Sequence, residues 1–417
     1  MTRLTNYRLS LFAAALVVVL LAETSVPQGH TPIASRFTYN EHLFPIFRDR
    51  CGSCHIEGGV APMSLVTYQS AYPWTQSIRE EVMGLRMPPW QAEDGFGDFK
   101  NGHVLPAHEM DMILEWSAGG YPQGPRDQAP EPPVISDGWS LGEPAVTLQV
   151  PEAFELDGGT SETVRYFVLP TDLEADSVLV GVDFIPGARA VVRGAAVFVD
   201  DTGTARALDD ASDANRPGFG QASDMGYPTT APIAVFTPGQ QRVINAAVGY
   251  PLPAGADIVL RVHYKKTWIT EGSAFSDQSQ VGLHLGQDDA AELESALVAS
   301  PTAVSGRQLA FTFELEREST VFSLFPEVDI ESSELVVEAV QPDGTRVPML
   351  WLREPDNGWP TRFWFDDPVT LPAGSQLEVT TLLEPAAQRQ PRVSLVGNAT
   401  APVRIAVDYL SGGSAAN

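Results

Sequence analysis

The segment 121–133 (YPQGPRDQAPEPP) has no apolar period and too much proline to continue a helix or a central strand. It reads as a semi-rigid extended connector, and it separates two stretches with different hydrophobic rhythms. Before it, short helices are punctuated by Gly and Pro. Leu43, Phe44, Ile46 and Phe47 fall at helical spacing, with Pro45 suited to a first helical turn. A second helix is predicted over 107–116, with Met110, Ile113, Leu114 and Trp116 on or near one face and Gly119-Gly120 ending it.

After the connector come runs such as SVLVGVDF, AVVRGAAVFV, DIVLRVHY, ELVVEAV and QLEVTTLL, bounded by Pro, Gly, Asp and Asn. These are strand signals at β-sandwich spacing. An internal echo accompanies them: Leu252-Pro253-Ala254-Gly255 precedes DIVLRVHY, and Leu371-Pro372-Ala373-Gly374 precedes QLEVTTLL. Two related sandwiches in tandem account for it. The expected fold is multidomain, with a small all-α domain followed by two tandem antiparallel β-sandwich domains of jelly-roll type. Its expected boundaries are a signal peptide at 1–25, the α domain at 34–120, the linker at 121–136, and sandwiches at 137–290 and 291–413.

The start of the chain has the layout of a secretory signal: Arg3 and Arg8, the apolar run 9–21, then Glu23, Thr24 and Ser25. The run is short for a bilayer span, no cysteine follows it to carry a lipid, and no later segment resembles a span. The expected location is periplasmic or secreted, with an uncleaved signal segment as an alternative anchor. A formal net charge of -27 disfavours nucleic acid and anionic lipid as partners and favours neutral or basic ones.

The chain has only two cysteines, in Cys51-Gly52-Ser53-Cys54-His55, so no disulfide framework holds it together. C-x-x-C-H is the attachment pattern of c-type haem: two thiols at that spacing add to two vinyl groups, and the next His reaches the iron. A redox dithiol or half of a zinc site leaves His55 unexplained. The expected cofactor is one covalent haem c, making 34–120 a monohaem cytochrome c domain. Met87, in Leu85-Arg86-Met87-Pro88-Pro89-Trp90, is the expected sixth ligand, because the prolines hold its loop rigid. His103 and His108 are the nitrogen alternatives, while Met63 and Met83 read as core filling. With both axial positions filled, such a domain passes electrons and has no open site for oxygen.

The order of MPPW (87–90), a proline-rich connector, DGWSLGEP (137–144) and two sandwiches resembles the bacterial relatives of copper type II, ascorbate-dependent monooxygenases. These share the two-domain fold of peptidylglycine α-hydroxylating monooxygenase. The resemblance covers nearly everything after the signal. It implies one copper on a His-His pair and a His in an L-x-V-H-Y strand, and a second copper on a His-x-His and a Met. Here Arg193 and Gly194 stand at the pair, and His263 in Leu260-Arg261-Val262-His263-Tyr264 matches the third ligand. Glu327 and Asp329 stand at His-x-His, and Pro402 or Val403 at the Met. A guanidinium and a hydrogen cannot replace imidazoles, and carboxylates suit a hard cation such as calcium better than copper(I). Outside the signal and haem regions only His263 and His284 remain, so copper is not expected.

The leading expectation is an electron-transfer protein with no catalytic residues, whose monooxygenase-like scaffold serves docking or ligand binding and whose partner is a periplasmic redox protein. One alternative is a divergent oxygenase that uses His263 with Glu327 or Asp329 and is fed electrons by the haem domain. Another is a subunit that partners an intact copper monooxygenase homologue.

Overall fold

The computed structural model describes residues 34–100, 102, 104–134, 138–212, 216–220, 230–304, 306–356, 358–384, 395 and 401–412. The expected signal peptide and His103 lie outside the described residues. The protein is mostly antiparallel sheet with few helices, and the helices longer than one turn lie chiefly before residue 120. Among the described residues no helix is long and apolar enough to cross a membrane.

The chain is helical from Tyr39 to Cys51, in wide turns that flank Phe44–Ile46, with Pro45 among the first residues of that short α-helical stretch. Tyr39, Leu43, Phe44, Ile46 and Phe47 are buried along it. They meet Ile113 and Trp116 of the helix Ala107–Ala118, and Ile78 and Val82 of a helix Thr75–Met83. Tyr39 lies 6.2 Å and Phe47 5.9 Å from Trp116 between ring centroids. No sequence expectation covers the helix Thr75–Met83, although Ile78 and Val82 carry an i, i+4 spacing.

The connector is not free along its whole length. Tyr39 and Asn40 donate backbone hydrogen bonds to the carbonyls of Pro122 and Gln123, both at 2.9 Å, and Trp116 Nε1 donates to Pro122 at 3.1 Å. Apart from one short 3-10 turn at Arg126–Gln128, this stretch has no regular structure of its own and satisfies the ends of its neighbours.

The first group of strands is β1 (Val146–Gln149), β2 (Phe154–Leu156), β3 (Glu162–Pro170), β4 (Ser177–Ile185), β5 (Val192–Asp200), β6 (Ala234–Phe236), β7 (Val248–Leu252), β8 (Asp257–Lys265), β9 (Phe275–Asp277), β10 (Gln280–Leu285) and β11 (Ala291–Glu292). The second is β12 (Glu294–Ala299), β13 (Gln308–Leu315), β14 (Ser319–Val328), β15 (Ser332–Val340), β16 (Arg346–Arg353), β17 (Phe363–Leu371), β18 (Ser375–Leu383) and β19 (Val403–Ser411).

Sheets β1-β10-β4-β7-β11 and β3-β8-β5-β6 enclose one apolar core, and sheets β12-β19-β14-β17 and β13-β18-β15-β16 enclose another. Leaving out the ribbon β2–β9 and the short parallel β11, the two strand orders coincide, each compatible with a jelly roll. The Leu-Pro-Ala-Gly echo falls on the turns before β8 and β18, which hold the same place in the two orders. Gly255 and Gly374 take φ +71 and +82 there, a conformation that favours glycine.

The strand groups are pinned together by a buried polar cluster. Tyr250 Oη of β7 donates to Asp408 Oδ2 of β19 at 2.9 Å, and Arg362 pairs with Asp408 and donates to the Pro232 carbonyl. The segment 90–100 leaves the helical region to lie on the second strand group. Trp90 and Phe99 pack edge-on against Phe363 at 5.4 and 5.2 Å, Ala92 and Phe99 bridge to Leu352 and Phe365, and Glu93 pairs with Arg353 at 2.7 Å. The expected α domain therefore contributes part of the second β core.

Candidate functional site

Cys51 ends the first helical stretch, and the motif continues it as a turn: Cys54 N and His55 N both donate to the Cys51 carbonyl, at 3.1 and 2.8 Å. Arg50, one residue earlier, is clamped to Glu109 of the helix Ala107–Ala118 at 2.9 Å. The cysteines and the histidine are thus held by two helices rather than by a loose loop.

These residues open onto a cavity of about 400 Å³. Cys51, Cys54, His55 and Met87 all line it, with Leu65, Ile78, Val82 and Ile113 among its apolar walls. Both thiols are free. Burial pushes Cys51 up to about 12 and Cys54 up to about 11, so both are neutral thiols at physiological pH. A reactive dithiol is favoured by the reverse shift. Nor do the three converge on one ion: among the described residues no group of three or more His, Cys, Asp or Glu is placed to hold a metal. They surround a volume instead.

His55 Nδ1 lies 3.1 Å from the Met63 carbonyl. A carbonyl only accepts, so Nδ1 carries the proton and Nε2 keeps its lone pair, the tautomer a metal-binding imidazole needs. Burial pushes the His55 pKa down, which also favours the neutral ring.

Met87 is half-buried, and its loop is tied at both ends. Its amide donates to Glu81 at the end of the helix Thr75–Met83, and Trp90, three residues on, is wedged against Phe363 of β17. The Met63 side chain also lines the cavity, but its carbonyl is bonded to Nδ1, which places its backbone behind the imidazole and away from the Nε2 side. Met83 is 57% exposed and His108 is exposed, both outside this cavity.

These residues fit a c-type haem in donor chemistry, in tautomer and in apolar enclosure. Two thiols stand at the attachment spacing, one imidazole has its free nitrogen unprotonated, and a thioether stands on the same cavity.

No protein-family model and no curated protein matches the chain. Among solved structures, the major capsid protein P2 of bacteriophage PM2 overlaps 65% of this chain and 99% of its own at 11% identity and a TM-score of 0.25. PNGF-II overlaps 64% and 65% at 11% identity and a TM-score of 0.26, and infectious bursal disease virus VP2 68% and 76% at 10% and 0.17. Overlaps this loose carry no argument about fold or function.

The positions read as degraded copper sites are occupied by internal polar pairs, a hydrogen bond at His263 and ion pairs at Glu327 and Asp329. His263 Nε2 lies 2.7 Å from Glu162 Oε1, and Lys265 pairs with the other oxygen at 3.1 Å. Burial pushes His263 down despite that carboxylate. Arg404 Nη2 reaches Glu327 at 3.1 Å and Asp329 at 2.5 Å, and the Leu395 amide donates to Glu327 at 2.6 Å. Carboxylates already neutralised by a buried guanidinium offer a hard cation little. His284 is buried, with Nε2 unpartnered among the described residues.

Arg193, read as a failed imidazole, faces the cavity instead, and so do Gly239 and Trp359. A Cβ at Gly239 would lie 3.0 Å from Ser53 Oγ and 3.4 Å from Cys54 Sγ, so the β6–β7 loop rests directly on the motif. Sequence reasoning missed these β-region walls, since nothing local to them signals a contact with residues 51–55.

Proposed function

We propose that the chain is an exported monohaem c-type cytochrome that transfers electrons, with a monooxygenase-like β scaffold that serves docking or ligand binding. The helical region is its cytochrome domain, and the two strand groups are tandem jelly-roll domains. Cys51 and Cys54 would anchor the haem as thioethers, and His55 and Met87 would ligate its iron. When bound, the haem supplies a one-electron iron couple. The chain's own part is to hold that couple in one setting. The Met63 carbonyl fixes the His55 proton on Nδ1, the Met87 thioether favours the reduced state, and the apolar walls exclude water.

The observation that carries this reading is the meeting of Cys51, Cys54, His55 and Met87 on a single cavity, although Met87 is more than thirty residues from the motif. Against the oxygenase alternative stand the hydrogen bond of His263 to Glu162 and the ion pairs of Glu327 and Asp329 with Arg404, which commit those side chains elsewhere. The strongly acidic net charge suits a periplasmic redox partner with a basic docking face.

The test is expression with export and haem-attachment machinery, followed by elemental analysis and a reduced-minus-oxidised spectrum. One iron per chain, a c-type spectrum and no copper are expected. Two coppers per chain with ascorbate-dependent oxygen uptake would overturn the proposal.

A further inference from the structure

Arg193 has an unusual place in β5. The β5–β8 ladder pairs Val192 with Tyr264 and Gly194 with His263, so Arg193 sits in a register shift between them. Such a bulge re-aims one side chain without breaking the sheet. Val192 keeps to the apolar core of the first strand group, while Arg193 is turned to the cavity lined by Cys54 and His55.

Its guanidinium lies 4.1 Å above the Trp359 ring, and among the described residues it forms no hydrogen bond and no ion pair. The other charged side chains on the cavity are already matched, Arg50 with Glu109 and Glu81 with Arg86. Asp356 and Glu162 act on Arg193 only through space, and burial pulls its pKa below the usual value without neutralising it. A cation held against an aromatic face in an apolar enclosure, with its donors unused, calls for an anion brought by the occupant.

We propose that Arg193 is the counter-ion for a carboxylate of the bound haem, so that the β domains complete the haem site and set its potential. The proposal rests on the cytochrome reading. A porphyrin of this class brings two carboxylates and no other anionic group, and a planar guanidinium preorganised on Trp359 is the partner such a group favours. The cation also acts on the iron at a distance, since a fixed positive charge favours the state with fewer positive charges, which is the reduced one. Trp359 belongs to the second strand group and Arg193 to the first, so the haem would sit where both meet the helical region.

The experiment compares the full chain with Arg193→Gln, Arg193→Lys and Trp359→Leu, measuring haem content after denaturation and midpoint potential by spectroelectrochemical titration. Arg193→Gln is expected to keep its haem and to shift the one-electron equilibrium about tenfold toward the oxidised form, a fall of about 59 mV. Arg193→Lys should stay close to the parent, because it keeps the charge. Trp359→Leu should move about threefold in the same direction, and it decides the matter if the Gln variant fails to accumulate. Covalent haem with an unmoved midpoint in Arg193→Gln, or in Trp359→Leu where the Gln variant fails to accumulate, would overturn this inference and leave the cytochrome reading standing. Absence of covalent haem in the parent chain would overturn both.

Discussion

The cavity beside Cys51 and the polar positions at His263 and Glu327 use similar side chains in opposite ways. Around the cavity, two thiols, a thioether, one imidazole nitrogen and a guanidinium that forms no ion pair among the described residues all line one volume. In the β region His263 is closed by Glu162, and Glu327 and Asp329 are closed by Arg404. Burying polar groups is costly, so a fold either pairs them internally or shapes them to a ligand. The first arrangement is that of a binding site. The second is that of a scaffold whose polar side chains satisfy one another.

The comparison breaks first at the motif. Cys51→Ala together with Cys54→Ala is expected to abolish covalent haem entirely, read as loss of the haem mass from the denatured chain. A double variant that still carries the group covalently would remove the cavity's claim to be the site. Met87→His comes next. Replacing a thioether by an imidazole should lower the midpoint well beyond the ~59 mV of a tenfold one-electron shift and remove the thioether-to-iron absorption band. An unchanged band would pass the sixth position to Met63.

The other side of the comparison is probed at Arg404. Arg404→Met leaves two carboxylates, one of them fully buried, without their cation and should cost about 3–5 kcal/mol in chemical denaturation, with the haem spectrum unmoved. Burial already holds Glu327 above the usual carboxyl range against the pull of Arg404. The deficit should therefore be largest at neutral pH and shrink as pH falls through that raised value, because the folded variant can then take up a proton. A deficit independent of pH would contradict this account of the pair. If Arg404→Met instead gains stoichiometric calcium, the carboxylates are a cation site after all.

The smallest effect is expected at Glu162, which is half exposed. Glu162→Gln should cost under about 1 kcal/mol. Burial pushes this carboxyl up, but hydrogen bonds from Lys265 and His263 outweigh it and hold the group below its usual range. Its contribution is present above the ordinary Glu pKa of about 4.3 and is lost as pH falls through the lowered value. The Gln variant should show a correspondingly shallower loss of stability in acid. A loss of several kcal/mol at neutral pH would show that the pair does more than close a strand end.

Much of this was legible from local pattern. The helix over 107–116 was visible because Met110, Ile113, Leu114 and Trp116 follow one face, and it runs on only to Ala118. The strands around SVLVGVDF and QLEVTTLL alternate with turn residues that local geometry demands. Cys51, Cys54 and His55 could be singled out because they are contiguous in a C-x-x-C-H pattern, and the structure sets all three on one cavity. Contacts between distant segments were not. The Met63 carbonyl behind His55, the Trp90 wedge against Phe363 and the Gly239 loop on Cys54 are made by backbone or by long-range packing, and no local spacing encodes them. Arg193 shows the limit most clearly. Its residue type argued against a copper-ligand role, yet only the bulge in β5 shows which way it points.

The central claim is that Cys51 and Cys54 are haem anchors, and intact mass after denaturation tests it most directly on chain exported in the presence of haem-attachment machinery. The account predicts one haem per chain surviving denaturation, with both thiols blocked to alkylation. A chain of unmodified mass with two alkylatable thiols would contradict it.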